Sequence, residues 1–414
     1  MEIGNAESLV ESLTLYRACY TMIPEYKFIF SSPKGSYPGF QSNKKFTHGA
    51  SIRSLFNDEN VLVLDPQTIE EMFSEKGRAT FKIDYSISLD NQALSYLQPY
   101  INGRKIDREN DLAEIFNFIA QKNIQIDSTP YGLENIDNLD DVDNHPKIYD
   151  KLMGYEFIRS IDHERFQSTG KFDTKISKGE LLINTDGHFN RLLLNSKNPQ
   201  FRKGIKERYN SIYSYLLMMS IIQIRSPSRS LKNKMLDLLG FAHDRAGFLS
   251  AKELILAREF FTRGTNFQFF SKIHKNSKKI FSALKGMTWD LFHYRTLEQA
   301  ITFDMGNDER YFFPGILTYD KGFIEVMEMT PLKAVAFNTE NNIPVLFYNQ
   351  DDFSKITAQI PEVQDFYTEL CSEKKINERV ALRETLKHGL KPLVTELESE
   401  LSCIANVPCQ SGLK

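Results

Sequence analysis

Residues 81–101 read FKIDYSISLD followed by NQALSYLQPYI, and this pair of segments decides the fold class. In the first, β-branched and aromatic residues alternate with polar ones up to Asp90, the period-two pattern of a strand. In the second, Ala93, Leu94, Leu97 and Ile101 recur at the spacing of a helix with one buried face. A strand, a carboxylate and then a helix form the βα unit of a parallel sheet. Open sheets of this kind hold ligands at the carboxyl ends of their strands, and Asp90 stands at such an end.

Outward from that unit, residues 61–64 (VLVL) form a second short apolar strand, which ends in Asp65-Pro66 before a helix over 68–74. Upstream lie an aromatic segment at 26–31 and a Gly/Ser/Pro-rich loop over 32–51. Downstream, residues 111–123 carry Leu112, Ile115, Phe116, Phe118 and Ile119 at helical spacing. A short strand at 124–126 and an acid-rich loop at 137–143 follow. From 148 to 285 the pattern is helical, with basic clusters at 203–208, 225–234 and 272–279. Strand-like sequence returns at 311–319, 333–338 and 343–348. The segment 373–402 reads as one long charged helix, striped by Val380, Leu382, Leu386, Leu390, Leu393 and Leu397.

Composition bounds the function classes. The chain has 414 residues, 41% apolar and 25% charged, with a formal net charge of −3. That balance excludes a disordered tail and a strongly basic nucleic-acid coat, while leaving room for a local basic face. Cys19, Cys371, Cys403 and Cys409 form no CxxC pair, and their spacing fits neither a zinc site nor a disulfide framework. Such usage suits a reducing cytoplasm. The opening Met1-Glu2-Ile3-Gly4-Asn5 has no basic region followed by an apolar run, and the longest apolar stretch, near 213–224, is too short to span a bilayer. A cytoplasmic location without membrane contact is expected.

Three further passages align with the βα unit. SISLDNQALSYL, containing Asp90, is followed by STPYGLENI at 128–136, MTWDLFHYRTLEQA at 287–300 and FFPGILTYDKGFIEV at 312–326. The last has an apolar strand ending in Thr318-Tyr319-Asp320-Lys321, then Phe323. In this order the passages resemble the motifs of PIN-like nucleases. The resemblance covers roughly residues 82–136 and 286–350 and rests most firmly on Asp320. It implies an α/β fold with a three-layer α/β/α core around a mainly parallel sheet. It also implies an acidic quartet of Asp90, Glu134, Asp290 and Asp320, with Glu134 early in one helix and Asp290 opening another. The chain departs from the family pattern after Asp90, where Gln92 follows Asn91, and in the 290 − 134 = 156 residues between the second and third acids.

The domain organisation expected from this resemblance has an N-terminal segment (1–80) packed on a core built from 81–147 and 286–370. A helical insertion (148–285) and a C-terminal helix (371–414) complete it. Four carboxylates tolerate proximity only with a counter-charge, because two of them roughly 5 Å apart repel by about 3 kcal/mol at an effective dielectric near 20. Mg²⁺ or Mn²⁺ would supply that charge, activate a water and neutralise the phosphodiester under attack. The function implied is a metal-dependent endoribonuclease acting on RNA, in the manner of a toxin or phage-defence effector, with a regulatory protein or a second copy as a further partner.

Plainer roles compete at each position. Asp90 and Asp290 suit helix N-caps, Glu134 suits a helix first turn, and Asp320-Lys321-Gly322 is turn chemistry. Asp65 rivals Asp90 as a strand-end acid, but Pro66 follows it and no amide does. His293, Arg295 and Lys321 are candidate phosphate contacts, and Phe267, Phe269 and Phe270 suit either base stacking or core. A second function is a catalytically inactive PIN-like module that binds nucleic acid or protein. A third rests on Arg383 and His388, whose R-x4-H spacing resembles the HEPN ribonucleases, which cleave RNA without metal.

Overall fold

A computed structural model describes residues 2–33, 39–76, 83–104, 109–119, 121, 124–303, 311–340, 343–348, 357–386 and 389–408. The chain forms two compact units. The first comprises Met1–Arg202, Arg295–Asp320 and Pro331–Asn349, and the second Lys203–Tyr294, Lys321–Thr330 and Gln350–Lys414. The fold is mixed α/β.

Both sheets belong to the first unit. Its strands are β1 (Tyr26–Ser32), β2 (Gly39–Gln41), β3 (Lys44–Lys45), β4 (Ser51–Arg53), β5 (Asn60–Leu64), β6 (Ile83–Leu89), β7 (Ile124–Asp127), β8 (Tyr311–Thr318), β9 (Leu332–Asn338) and β10 (Ile343–Tyr348). One sheet has the order β10-β9-β1-β5-β2 and is antiparallel at each pairing. Phe28 of β1 lies between Leu64 and Ala336, so sequence-distant strands close it. Phe28, Phe30, Leu62, Leu64, Ile69, Ala334 and Phe347 form its core with Tyr16 from the N-terminal helix Leu9–Cys19. A side chain of this size contributes about 1.5–3 kcal/mol when fully buried. Gly4 admits that packing, since a Cβ there would meet the Phe347 ring at 2.4 Å.

The other sheet has the order β3-β4-β8-β6-β7. Here the expected mainly parallel sheet is corrected: parallel pairing is confined to β6 with β8 and β6 with β7, while β4 runs antiparallel to both β3 and β8. The cause is the tight return between β3 and β4, where Phe46 N–H bonds Ala50 O; a connection that short can only reverse the chain. Asn91–Ile101 follows β6 with Ala93, Leu94 and Leu97 fully buried. His145–Arg159 and the capping-boxed Lys178–Lys197 come later in the same unit.

Among the described residues the second unit is helical. Phe260 stacks on Phe270 with ring centroids 3.9 Å apart, and Phe267 is fully buried beside them, so this aromatic group is core. The helical stretch 148–285 contains no named strand, only an isolated Ile161–Thr174 bridge. It is divided between the units rather than forming one body. The single helix expected over 373–402 is also corrected, being Glu373–Thr385 and Lys391–Ala405. Between them Gly389 takes a left-handed φ of 63°, and Pro392 starts the next helix, a stop and a start signal in sequence. The apolar stripe divides accordingly: Leu393 and Leu397 are buried, whereas Val380 is exposed.

Candidate active site at a strand edge

Three strands in parallel bring their carboxyl ends to one edge of the mixed sheet. Ser88 of β6 pairs with Asp127 of β7, and Leu89 pairs with Leu317 of β8. Asp90 is therefore one residue beyond its strand, Asp320 three beyond the residue opposite Leu89, and Asp127 the last residue of β7.

Each acid is positioned by a local cause. Asp90 is half-buried and caps Asn91–Ile101, its Oδ1 accepting the Ala93 N–H at 2.6 Å. Asn91 donates from Nδ2 to Glu134 Oε2 at 2.9 Å, which holds Glu134 over the start of that helix. Asp127 accepts from Thr129 N at 3.0 Å, Thr129 Oγ1 at 2.7 Å and Ser88 Oγ at 3.2 Å. Asp320 is exposed, and its N–H donates to Thr318 Oγ1 at 3.1 Å. Tyr96, one turn into the helix after Asp90, meets Tyr319 edge-on at 4.9 Å, tying that helix to the end of β8.

The quartet read from sequence is divided between the two units. Asp90, Glu134 and Asp320 share the first unit, and Asp290 belongs to the second. Asp290 does not open a helix; it sits inside the 24-residue helix Ile280–Phe303. Glu134 is not early in its helix but the last residue of Thr129–Glu134. Among the described residues no group of three or more His, Cys, Asp or Glu is arranged to hold a metal ion. The donor chemistry nonetheless suits one. Mg²⁺ prefers oxygen and is commonly held by one or two carboxylates, with waters and substrate phosphate completing its shell.

Other candidates resolve into structural roles. Asp65 caps Pro66–Ser74 through Thr68 N at 2.6 Å, from a strand of the antiparallel sheet. His293 is buried and stacked on Trp289, and Arg295 lies 3.8 Å from Glu298. Basic residues of the clusters at 203–208 and 225–234 are engaged within the second unit, while the lysines at 272–279 are exposed. Arg225 pairs with Glu400, Arg229 with Asp237, and Arg208 lies 4.7 Å over the Phe292 ring. Lys234 is buried, giving Nζ to Gln223 Oε1 at 2.9 Å and Pro227 O at 2.7 Å, and burial pushes its pKa below the ordinary lysine value. Arg383 lies 5.4 Å over the Phe248 ring; His388 falls outside the described residues. No helix among the described residues is long and apolar enough to cross a membrane.

Sequence reasoning missed two things. Asp127 ends a strand just as Asp90 does, and the IQID-S-T pattern at 124–129 could have flagged it. The Ser128, Glu156 and His188 grouping had no local signal, because its members are 28 and 32 residues apart in successive steps and meet only through packing. Compared with family models, curated proteins and solved structures, the chain matches none.

Proposed function

We propose that this chain is a metal-dependent endoribonuclease with a PIN-like arrangement at the carboxyl edge of β6, β7 and β8, acting through Asp90, Asp320 and Glu134. The observation that carries the proposal is the parallel register of β6 and β8, with Asp90 and Asp320 just past neighbouring strand ends. Asp127 joins them as an acid that sequence motifs did not single out. Asp290 is left out, since it sits inside the helix Ile280–Phe303 and does not open one.

Asp90 and Asp320 would hold Mg²⁺ or Mn²⁺, which when bound supplies an activated water and positive charge against the phosphodiester. Asn91 fixes Glu134, so its carboxylate is oriented before substrate arrives. Asp127, turned toward Ser88 and Thr129, supports the edge instead of facing substrate.

The test is cleavage of single-stranded RNA with Mn²⁺ and with chelator. Asp320→Asn keeps the shape and removes one charge, and a rate loss of two orders of magnitude or more is expected, about 3 kcal/mol in barrier. Arg383→Ala leaves the rate unchanged. Chelator-resistant cleavage that is lost in His388→Ala would move the assignment to the metal-free mechanism. No cleavage of any RNA or DNA by the folded wild type would favour a binding module.

A further inference from the structure

Between Glu259 and Asp290 the chain carries six Lys or Arg and no Asp or Glu, although its formal net charge is −3. Two of the six are met by acids of the second unit: Arg263 pairs with Glu325, and Lys285 lies 4.0 Å from Glu398. The other four, Lys272, Lys275, Lys278 and Lys279, are exposed, and among the described residues they form no ion pair. The nearest packed helix, Lys391–Ala405, has no acid to spare for them. Its Glu396 is taken by Arg245, Glu398 by the Tyr213 hydroxyl and Glu400 by Arg225.

The fold holds these lysines outward. Ile273 and Ser277 are buried, and buried Ile280 opens the helix that follows, so anchors at three- and four-residue spacing pull one side of the loop inward. The lysines fall between the anchors. The Asn276 N–H donates to Ala405 O at 2.7 Å, and Asn406 Nδ2 donates to Asn276 Oδ1 at 3.1 Å, which ties the loop to the end of Lys391–Ala405. Asn276 takes a left-handed φ of 63°, a conformation asparagine adopts more readily than most residues. The Ser277 N–H bonds His274 O, and the Ile280 N–H bonds Ser277 O. The backbone is thus fixed before any ligand arrives, and only lysine rotamers remain to be ordered on binding.

The chemistry of the surface selects its partner. Phe267, Phe269, Phe270, Ile273 and Phe281 are all buried, so no apolar anchor is offered beside the charges. Protein interfaces draw their energy from such anchors, and amphipathic membrane binding inserts them. A phosphodiester backbone needs only cations and polar donors. We infer that the 272–279 loop binds the backbone of a nucleic-acid strand, holding it by charge without reading its bases. This goes beyond the nuclease proposal and does not depend on it, because binding by charge requires neither catalytic metal nor cleavage.

The experiment measures fluorescence anisotropy of labelled oligo(U) and oligo(dT), each about 20 nucleotides long, against the full-length chain in EDTA over a range of KCl concentrations. Four contacts on a single strand give a slope of log K against log salt of about −2.8. The wild type should show that slope or a steeper one, alike for both strands. Lys272→Gln, Lys275→Gln, Lys278→Gln and Lys279→Gln together should make it shallower by about 2.8, and each alone by about 0.7. Lys171→Gln, Lys178→Gln, Lys197→Gln and Lys203→Gln together remove the same charge from exposed lysines elsewhere and should leave the slope as it is. Equal losses in the two quadruple variants would reduce the effect to net charge and overturn the inference. So would a wild-type slope shallower than about −1, a slope that depends on base or sugar, or capture by phosphatidylserine vesicles without oligonucleotide binding. Strand binding by a wild type that cleaves nothing would sink the nuclease proposal alone, and cleavage with unchanged binding in the 272–279 variant would sink this one alone.

Discussion

Asp90 is the residue at which a folding role and a chemical role can be separated by experiment. Its Oδ1 caps Asn91–Ile101 through the Ala93 N–H at 2.6 Å, a bond that any short oxygen-bearing side chain could make. Its negative charge serves the cap little but would be needed to hold a divalent cation. Asp90→Ala removes both cap and charge. Asp90→Ser keeps a capping oxygen and removes only the charge, and Asp90→Asn adds back the lost shape. Losing the cap costs about 1 kcal/mol, against a domain stability of about 5–15 kcal/mol, so every variant folds. Fully buried Ala93, Leu94 and Leu97 keep that helix anchored.

For a unit of this size, 1 kcal/mol lowers Tm by about 2–4 °C. Asp90→Ala should therefore melt a few degrees low, while Asp90→Ser and Asp90→Asn stay near the wild type. Single-turnover cleavage of end-labelled RNA with Mn²⁺ supplies the second axis. All three variants should lose at least 100-fold in rate, about 2.7 kcal/mol of barrier or more, irrespective of their melting temperatures. Wild-type rates in Asp90→Ser and Asp90→Asn, with only Asp90→Ala impaired and in step with its Tm, would refute the catalytic assignment. Asp90 would then be a cap and nothing else.

Three further expectations test the packing. Arg202 binds Asp140 through two bonds of 2.7 and 2.8 Å and Asp137 at 2.7 Å, and the guanidinium holds the Asp140 carboxyl below its ordinary pKa. That stability is present above about pH 4, the ordinary Asp value, and drains as pH falls through the lowered folded value; Arg202→Ala should flatten this acid-side slope in pH-dependent urea unfolding, by under about 1 kcal/mol because both acids are exposed. Gly322→Ala sets a Cβ 2.7 Å from Phe269 N and 2.9 Å from its Cα, backbone atoms that yield little, so chemical denaturation should show a loss of about 1–3 kcal/mol or more. Phe30→Ala opens the antiparallel core beside Phe28 and should cost about 3–5 kcal/mol by the same assay, an unchanged midpoint contradicting the packing.

What the sequence made legible was local. The alternation in 83–89 and the spacing of Ala93, Leu94 and Leu97 marked β6 and its helix because both patterns repeat within a dozen residues. The VLVL run marked β5 as buried but could not fix its direction, since burial on both faces reads alike in parallel and antiparallel sheets. Its partner β1 pairs in turn with β9, some 300 residues away in sequence. Asp290 was expected to open a helix, whereas that helix starts at Ile280 and runs through Gly286, where a Cβ would meet nothing within 4 Å and the glycine serves no close approach. A single glycine costs a helix only about 1 kcal/mol, which Leu284, Met287 and Leu291 offset by burial. The Ser128, Glu156 and His188 grouping left no trace, because no periodicity links residues that meet only by the packing of three separate elements.

The acids at the strand edge also have an explanation that needs no catalysis, which is why the Asp90 variants carry so much of the decision. Parallel strands present their carboxyl ends together, and the chain passes from each into a helix: Asn91–Ile101 after β6, Thr129–Glu134 after β7 and Lys321–Met327 after β8. A carboxylate before a helix gains about 0.3–1 kcal/mol from the partial positive charge of the first turn. Asp90 and Asp127 further accept backbone N–H bonds. These contributions are smaller than the repulsion of about 3 kcal/mol between two carboxylates roughly 5 Å apart at an effective dielectric near 20. Capping alone therefore suffices only while the acids stay well separated or face water, as exposed Asp320 does. Drawing Asp90 and Asp320 toward one phosphate requires an added cation. It follows that Mn²⁺ should raise the Tm of the wild type more than that of Asp320→Asn, in the absence of RNA. Equal shifts in the two proteins would mean that the ion binds elsewhere, and the edge would be left with capping as its only role.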